Sequence, residues 1–306
     1  MEPSRRIAVM MHRGREAATR AAAEFVTEIS IKGFRCALDA ADSQSLTAEV
    51  PDAKIEPLEN DVHAELAVVF GGDGNILRAA EWALPRQVPV LGVNLGHVGF
   101  LAELESAQLG TLIERVVERD YQVEERQTIT CELRDAPGGE KVWESFAVNE
   151  CAVEKLTRER MLEVLVRIDD RPLSRWATDG VLVATPTGST AYAFSAHGPV
   201  IWPEVEALLL VPLSAHALFN RSVVVGTKSV IKVEVLPSTP DGLIWCDGRR
   251  SSEIHAGMEL VVAASKEKLL LARTSEQPFI TRLVRKFHLP IDGWRGAAER
   301  EQVHAE

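Results

Sequence analysis

The stretch Leu66-Ala67-Val68-Val69-Phe70-Gly71-Gly72-Asp73-Gly74-Asn75 decides how the first part of this chain folds. Its apolar run is typical of a strand buried on both faces of a sheet. The glycines after it, and the helical spacing from Ile76 to Leu84, predict a tight turn from the strand into a helix. Open α/β sheets bind their ligands at such strand ends. The stretch therefore predicts a binding loop on an α/β sheet.

The glycines of this loop suit a phosphate group. They let backbone N–H groups approach phosphate oxygens, and the helix that follows offers its positive amino-terminal end. We expect Gly71, Gly72, Gly74 and Asn75 to form a phosphate loop, with Arg78 adding a charged contact from the first helical turn. The alternative is a turn that binds nothing. The loop matches neither GxxxxGK[ST] nor GxGxxG, so neither of those mechanisms applies.

Asp73 separates these alternatives. A carboxylate inside a loop that attracts anions is costly unless it binds a metal or takes a proton from a nucleophile. A purely structural turn has no need of that charge. Asp73 therefore favours a catalytic loop.

Apolar runs and helical periodicity alternate around this loop, which predicts a mostly parallel sheet covered on both faces. A second glycine element, Asn94–Leu101, also follows a strand, so we expect the two elements to line one cleft. The alternative is that Gly96 and Gly99 only turn the chain. The acidic segment Asp42–Glu65 is predicted as a surface loop and broken helix. The other runs are the strands Ile7–Met11 and Val88–Val93 and the helices Glu16–Ile31 and Leu109–Val117.

From about Thr128 the chain becomes rich in short Val and Ile runs, which predicts a mainly β region. We place an α/β domain at residues 1–127 and a β-rich domain at 128–275. Pro278–Leu289 is amphipathic, and we expect a C-terminal helix within 276–306 to pack back on the first domain. The β runs are Ile129–Leu133, Val142–Val148, Leu162–Ile168, Val223–Val235 and Leu260–Ala264.

Residues 178–195 place many small hydroxyl side chains between a strand and a short helix. Hydroxyls and free N–H groups at a helix start suit a polar ligand, although capping of their own turn is the alternative. Tyr192 offers a ring face for a flat ligand, or packs in a core. Asn149 and Glu150 pair an amide with a carboxylate that can read a base edge and ribose hydroxyls. Cys246–Arg250 is predicted first as a hairpin turn, with a substrate contact as the alternative.

Charge and composition exclude several classes of protein. A formal net charge of -11 opposes binding to nucleic acid or to an anionic membrane. No apolar run has signal-peptide or membrane-spanning length. The cysteines stand far apart along the chain without a CxxC pair, which argues against disulfides and a cysteine zinc site. We expect a soluble protein of the reducing cytoplasm that provides no metal ligands. The cysteines are Cys36, Cys131, Cys151 and Cys246.

These elements, in this order, resemble the bacterial NAD kinase family over nearly the whole chain. The resemblance rests on GGDGN, NLGHVGFLAEL, Asn149-Glu150, TDGVLVATPTGSTAYAFSAHGP and CDGRR. FITRLVRKFHLP and GWRG near the end look like the actinobacterial branch. GGDG is shared with lipid and sugar kinases, whereas TPTGSTAY after Asp-Gly is highly specific.

The resemblance implies a Rossmann-like N-terminal domain and a mainly β C-terminal domain, with the active site between them. It implies transfer of the terminal phosphoryl group of ATP or polyphosphate to the 2'-hydroxyl of the adenosine ribose of NAD, giving NADP. It also implies a homotetramer or homodimer. Because the chain has no dense carboxylate cluster, we expect Mg²⁺ to arrive with the nucleotide.

By motif position, the resemblance implies that Asp73 accepts the proton. Thr178, His197 and Cys246 depart from the commonest family pattern; they concern the shape of the pocket beside Ser195 and Asp247, and leave the catalytic group in place. The residues implied to contact the dinucleotide are Gly74, Arg78, Asn149, Glu150, Arg160, Asp179, Thr190, Ala191, Tyr192 and Ser195.

Two other functions remain as alternatives. A GGDG kinase for a lipid or a sugar is disfavoured because the hydroxyl-rich segment has no apolar groove for an acyl chain. A non-catalytic NAD sensor would bind the dinucleotide without chemistry, and Asp73 argues against it.

Overall fold

The computed structural model describes residues 5–46, 49–50, 53–59, 61–96, 99–102, 104–105, 109–237, 239–275 and 277–290. Residues 97–98 of the second glycine element, together with 276 and 291–306 of the predicted C-terminal segment, lie outside this described part. The chain divides into two compact units, Met1–Glu124 with Leu270–Glu306, and Glu125–Leu269. None of the described helices combines the length and the apolar character needed to span a bilayer.

The first unit is built on a mostly parallel sheet. Its strands are β1 (Arg6–Met11), β2 (Arg35–Leu38), β3 (Ile55–Pro57), β4 (Leu66–Phe70), β5 (Val90–Asn94), β6 (Leu104–Glu105), β7 (Gln122–Arg126) and β20 (Leu269–Arg273). They follow the order β3-β2-β1-β4-β5-β20-β7, and β6 pairs with β5. The pairs β1–β2, β1–β4, β2–β3 and β4–β5 are parallel. The apolar run of β4 is explained because every one of its residues is buried.

Helices flank this sheet. Phe25 and Ile29 of α1 are fully buried, and the Phe25 ring lies 5.6 Å from that of Phe70. Burial of each such side chain contributes roughly 1.5–3 kcal/mol. The short helix α2 extends into Asp42–Glu65, where a surface loop and broken helix were predicted, but that prediction missed the strand β3. The helices are α1 (Glu16–Ile31), α2 (Ala40–Leu46), α3 (Asp73–Ala83), α4 (Leu109–Glu118) and α6 (Phe279–Phe287).

The last of these helices, α6, supports the end of the second glycine element at Phe100. The Phe100 ring lies 5.6 Å from the Phe279 ring and 6.0 Å from the Phe287 ring. Arg282 Nη1 donates a hydrogen bond of 2.8 Å to the Phe100 carbonyl oxygen. The segment at Phe100 is therefore fixed by a helix that is distant in sequence.

The second unit is a sandwich of two antiparallel sheets. One has the order β12-β11-β16-β19-β8-β9, the other β15-β14-β13-β10-β17-β18. Side chains from both sheets, among them Val153, Trp176 and Val233, form one core cluster. The strands are β8 (Ile129–Arg134), β9 (Lys141–Ala147), β10 (Glu150–Lys155), β11 (Leu162–Ile168), β12 (Arg171–Thr178), β13 (Gly180–Ala184), β14 (Ala207–Leu213), β15 (Val223–Gly226), β16 (Val230–Val235), β17 (Gly242–Cys246), β18 (Arg250–Ile254) and β19 (Glu259–Ala264).

The outer face of the second sheet is covered by the hydroxyl-rich segment. A 3-10 turn at Thr187–Thr190 leads into the short helix α5 (Tyr192–Ser195). Ala193 of α5 is buried in a cluster with Leu182 and Leu209 of the sheet. The run Val223–Val235, predicted as one strand, is two strands, because a turn closed by the Ser229 N–H and the Gly226 carbonyl oxygen interrupts it.

Candidate functional site

The two glycine elements of the first unit follow neighbouring strands. β4 and β5 pair in parallel, and the Gly71 N–H donates to the Val93 carbonyl oxygen at 2.9 Å. Gly72 caps α3, and Asp73 is the first residue of that helix. A carboxylate in this position also complements the positive end of the helix dipole. The predicted phosphate loop, Gly71, Gly72, Gly74 and Asn75, therefore lies at the carboxyl edge of the sheet.

The carboxylate of Asp73 joins the two elements. Its oxygens accept hydrogen bonds from the backbone N–H groups of Phe100 at 2.9 Å, Leu101 at 3.0 Å and Ala102 at 3.3 Å. A β-carbon on Gly99 would overlap this carboxyl group, so the close approach needs glycine there. A carboxylate has about four lone-pair positions. Three bonds fix its orientation and leave a position for one more donor.

Arg78 lies in the second turn of α3, because the helix begins at Asp73 and not at Ile76 as predicted. Its Nη2 donates to the Met11 carbonyl oxygen at 2.7 Å and to Asp42 Oδ2 at 3.1 Å. Asp42 is fully buried and also accepts from Arg13 Nε at 3.0 Å. Within the described residues, the buried Nε of Arg78 has no hydrogen-bond partner. The structure thus holds Arg78 against β1 and α2.

In the second unit, Asp247 binds the backbone at the start of β10. Its carboxylate accepts from the N–H groups of Val148 at 3.0 Å, Asn149 at 2.7 Å and Glu150 at 3.4 Å. Arg250 Nη2 donates to it at 2.9 Å. Burial raises the pKa of Asp247, while these N–H groups and Arg250 act in the opposite direction. We call this arrangement of Asp247 on residues 148–150 the Asp247 clasp.

Glu150 faces a pocket beside the Asp247 clasp. Burial, and then the negative charge of Asp247, raise the pKa of Glu150 to about 8. Its buried Oε2 has no hydrogen-bond partner among the described residues. A buried polar atom without a partner in a pocket is typical of a ligand contact. The pocket has a volume of about 240 Å³ and is lined by Glu150, Ala152, Glu154, Tyr192, Trp245 and Gly248.

Tyr192 lines this pocket and a second, larger one. The second pocket has a volume of about 490 Å³, and Glu154, Asp179, Tyr192 and Ser195 are among its lining residues. The Tyr192 hydroxyl donates to Glu154 Oε1 at 2.7 Å, and the ring is 40% exposed. Burial and Glu154 raise the pKa of Tyr192. Its ring therefore stands at the wall that the two pockets share, with its hydroxyl fixed.

The cation at this larger pocket is Lys155. Its Nζ lies 2.5 Å from Asp179 Oδ1, and the hydrogen bond from Lys155 lowers the pKa of Asp179. The pair sets a positive and a negative group on one wall. This mixed polarity suits a neutral or zwitterionic ligand edge better than a bare anion.

The hydroxyl-rich turn packs tightly on Asn149. The Thr185 N–H donates to the Asn149 carbonyl oxygen at 2.9 Å, and a β-carbon on Gly188 would overlap that carbonyl group. Beyond Gly188, Thr190 Oγ1 donates to the Thr187 carbonyl oxygen and the Ala191 N–H to that of Gly188. Asn149 is thus held from one side by Asp247 and from the other by this turn.

Comparisons with known proteins show the family to which the chain belongs. Residues 15–121 match the family model for the ATP-NAD kinase N-terminal domain, and residues 148–274 match that for the ATP-NAD kinase C-terminal domain. The chain belongs to the NAD kinase family. It is 49% identical to the NAD kinase of Thermobifida fusca, with 97% of this chain and 94% of the relative covered. It is 47% identical to that of Cutibacterium acnes, covering 98% and 95%.

Solved structures of NAD and NADH kinases share the fold. The yeast NADH kinase complexed with NADH superposes with a TM-score of 0.85 at 21% identity, covering 95% of this chain and 89% of that one. An NAD kinase from Archaeoglobus fulgidus in complex with ATP gives 0.70 at 24% identity, covering 93% and 100%. The predicted α/β unit followed by a mainly β unit is confirmed.

For a member of the NAD kinase family, the predicted site residues fall into several groups. Asp73 and Gly74 belong to the loop of the first unit. Arg160 is exposed in the turn between β10 and β11 and lines neither pocket described above. Glu150, Asp179, Tyr192 and Ser195 line the two pockets of the second unit. Asn149, Thr190 and Ala191 belong to the hydroxyl-rich turn and the backbone that it packs on, and are not among the lining residues.

Sequence reasoning did not give Glu154 a role. Asp247 was predicted first as part of a hairpin turn, with a substrate contact as the alternative, and it does lie in a turn, with a positive φ of 54°. Its side chain nevertheless turns inward to the backbone of another strand. The sequence signal for this burial was Asp247 followed by Gly248, Arg249 and Arg250, because a buried carboxylate needs a cationic partner.

Proposed function

We propose that this chain transfers the terminal phosphoryl group of ATP or polyphosphate to the 2'-hydroxyl of the adenosine ribose of NAD, giving NADP. The observation that carries the proposal is Asp73, a single carboxylate in a glycine loop at the sheet edge, oriented by three backbone N–H groups. Membership of the NAD kinase family supports the same reaction.

In this proposal Asp73 acts as the general base. The ribose oxygen attacks the terminal phosphorus, its proton passes to the Asp73 carboxylate, and the bond from phosphorus to the bridging oxygen of the donor breaks. General-base catalysis of this kind contributes about 10²- to 10⁴-fold in rate. Phosphoryl transfer otherwise depends on alignment and on neutralised charge. A carboxylate with a fixed orientation serves the alignment.

The dinucleotide is assigned to the pockets of the second unit. Glu150, whose Oε2 lacks a partner among the described residues, accepts a hydrogen bond from a ribose hydroxyl. The half-exposed ring of Tyr192 stacks on a base or nicotinamide ring. Asp179 and Ser195, on the larger pocket, provide polar contacts to the other end of the molecule.

Mg²⁺ is assigned to the nucleotide and not to a protein cage. The described residues bring together three possible metal ligands only as thiols, and Mg²⁺ prefers oxygen. When bound to the triphosphate, the ion neutralises phosphate charge. The backbone of Gly71–Gly74 then needs only to hold the phosphates.

We further propose a cytoplasmic homotetramer or homodimer. All four cysteines are free, as a reducing compartment requires. Leu218, Phe219 and Val224 of the second unit are exposed, which suits burial against another copy. Light scattering after gel filtration would give the mass, and a monomer would contradict the oligomer without affecting the reaction.

The reaction is tested by incubating purified protein with ATP, Mg²⁺ and NAD and measuring NADP with an NADP-specific dehydrogenase. We expect the wild-type protein to form NADP from NAD with ATP as donor. It should also form NADP with polyphosphate in place of ATP if polyphosphate serves as donor. Diacylglycerol and fructose 6-phosphate are the competing acceptors. Phosphorylation of either in place of NAD, or NAD binding without any product, would overturn the proposal.

A further inference from the structure

Three of the four cysteines meet inside the second unit. Cys131, Cys151 and Cys246 are buried, and their sulfur atoms all lie within 4.8 Å of one another. The wide separation of these cysteines along the chain did not predict the cluster, because distance in sequence does not determine distance in the folded chain. The fourth, Cys36, is buried alone in the first unit.

Strand pairing explains the convergence. Cys151 of β10 lies directly opposite Cys246 of β17. The Asp247 N–H donates to the Glu150 carbonyl oxygen at 3.0 Å, so the two cysteines form a non-hydrogen-bonded pair, in which side chains approach most closely. Cys131 of β8 belongs to the opposite sheet but to the same core cluster. The three thiols thus link both sheets of the sandwich.

Polar groups adjoin this cluster, unlike an ordinary apolar core. Ser145 is the direct partner of Cys131, and Arg250 is that of Cys246. Arg250 Nε donates to Ser145 Oγ at 3.2 Å. A cation and a hydroxyl group therefore stand where the two sheets meet beside the thiols.

We propose that Cys131, Cys151 and Cys246 bind a soft divalent cation, with Zn²⁺ as the biological ion. A zinc–thiolate bond is about 2.3 Å, so two sulfur atoms on one tetrahedral ion stand about 3.8 Å apart. The sulfur atoms, all within 4.8 Å of one another, therefore need to move together by at most about 1 Å. Thiolates select soft ions over Mg²⁺ and Ca²⁺.

The charges favour a divalent ion. Three thiolates and one divalent ion leave a single negative charge, which the neighbouring Arg250 opposes, whereas a monovalent ion would leave two. Binding releases the thiol protons to solvent. The site would pin the two sheets together next to the Asp247 clasp.

The test uses the full chain, unfolded with chelator and reductant and refolded with Cd²⁺, a spectroscopically visible substitute for Zn²⁺. We expect about one cadmium per chain by elemental analysis, with a thiolate charge-transfer band and a raised Tm. Cys131→Val should lose the band and the Tm increase. Cys36→Val, the matched control at a buried cysteine outside the cluster, should keep both.

Three results would overturn the site. One is wild-type protein that refolds without binding cadmium; another is equal binding by the Cys131→Val and Cys36→Val variants. The third is a Cys151–Cys246 disulfide in protein purified without oxidant, seen by mass spectrometry after alkylation. If Cys131→Val does not fold, Cys131→Ser provides the same comparison, because a neutral hydroxyl is a poor ligand for a soft ion.

Discussion

Two aspartates, one in each unit, are held in the same way but differ in what they leave open. The Asp73 carboxylate accepts hydrogen bonds from the backbone N–H groups of residues 100–102, and the Asp247 carboxylate accepts hydrogen bonds from those of residues 148–150. Asp73 is partly exposed at a helix start, whereas Asp247 is buried and paired with Arg250. The same pattern of three backbone hydrogen bonds can therefore orient an accessible carboxylate or fix a backbone segment, depending on solvent access and on a neighbouring cation.

The largest effect on turnover is expected at Asp73, the partly exposed aspartate of this pair. Asp73→Asn removes the proton acceptor but keeps the side-chain shape, so turnover should fall by about 10²- to 10⁴-fold. NAD binding by calorimetry should persist, since the pocket residues are unchanged. A variant with ordinary kcat would contradict the assignment of Asp73 as the base.

Substitution of Asp247, the buried aspartate, should instead affect stability and substrate affinity. Asp247→Asn weakens charged hydrogen bonds to residues 148–150 and leaves Arg250 without its ion pair, at a cost of about 1–3 kcal/mol in the free energy of unfolding. KM for NAD should rise more than kcat falls. Asp170→Asn, at an exposed pair with Lys232, is the control and should change little. A fall in kcat with unchanged KM and Tm would show that Asp247 is not a positioning residue.

Gly188 packs against Asn149 on the side opposite the Asp247 clasp, so its substitution tests the same segment of backbone. Gly188→Ala would press a methyl group on the Asn149 carbonyl, and such overpacking costs about 1–3 kcal/mol. Denaturant unfolding should show this loss together with a raised KM. Gly226→Ala, where a β-carbon meets open space, should be nearly neutral. Equal stability of the two variants would mean that the turn tolerates the shift.

The last prediction concerns pH and Glu150, whose effect is spread over several pH units. Its pKa is raised from 4.5 to about 8 in the folded chain, so its contribution to stability is complete below 4.5 and is lost as the pH rises towards 8. The difference in unfolding free energy between wild type and Glu150→Gln should change by up to about 1.4 kcal/mol per pH unit in that interval. Chelator-treated protein should be used. Parallel pH profiles would refute a raised pKa.

Local patterns in the sequence predicted much of the fold. β4 and β11 begin and end where their apolar runs do, because strands with regular burial leave a regular pattern. β2 was not predicted, since its Arg35–Leu38 run is too short to show periodicity. The predicted strand Val142–Val148 corresponds to β9, which ends at Ala147, and Glu150 begins β10 after a bend at Asn149. Family and enzyme class were confirmed, and the roles of the site residues remain predictions.

What the sequence could not reveal depends on contacts between distant segments. Arg78 was expected at a ligand, and its partner Asp42 lies on another helix. The Asp247 clasp joins residues about a hundred positions apart, and the thiol cluster requires the register of strands in two sheets. No spacing along the chain encodes such pairings. They follow from side-chain burial and strand order, which only the folded chain defines.

The contacts of α6 with Phe100 have a practical meaning. The residues that orient Asp73 begin at Phe100, whose ring packs on Phe279 and Phe287 and whose carbonyl oxygen is bound by Arg282. We expect a fusion tag, an immobilising linker or limited digestion that displaces α6 to disturb the segment that orients Asp73, through the ring and the carbonyl oxygen of Phe100. An affinity handle for this protein belongs at the other end of the chain.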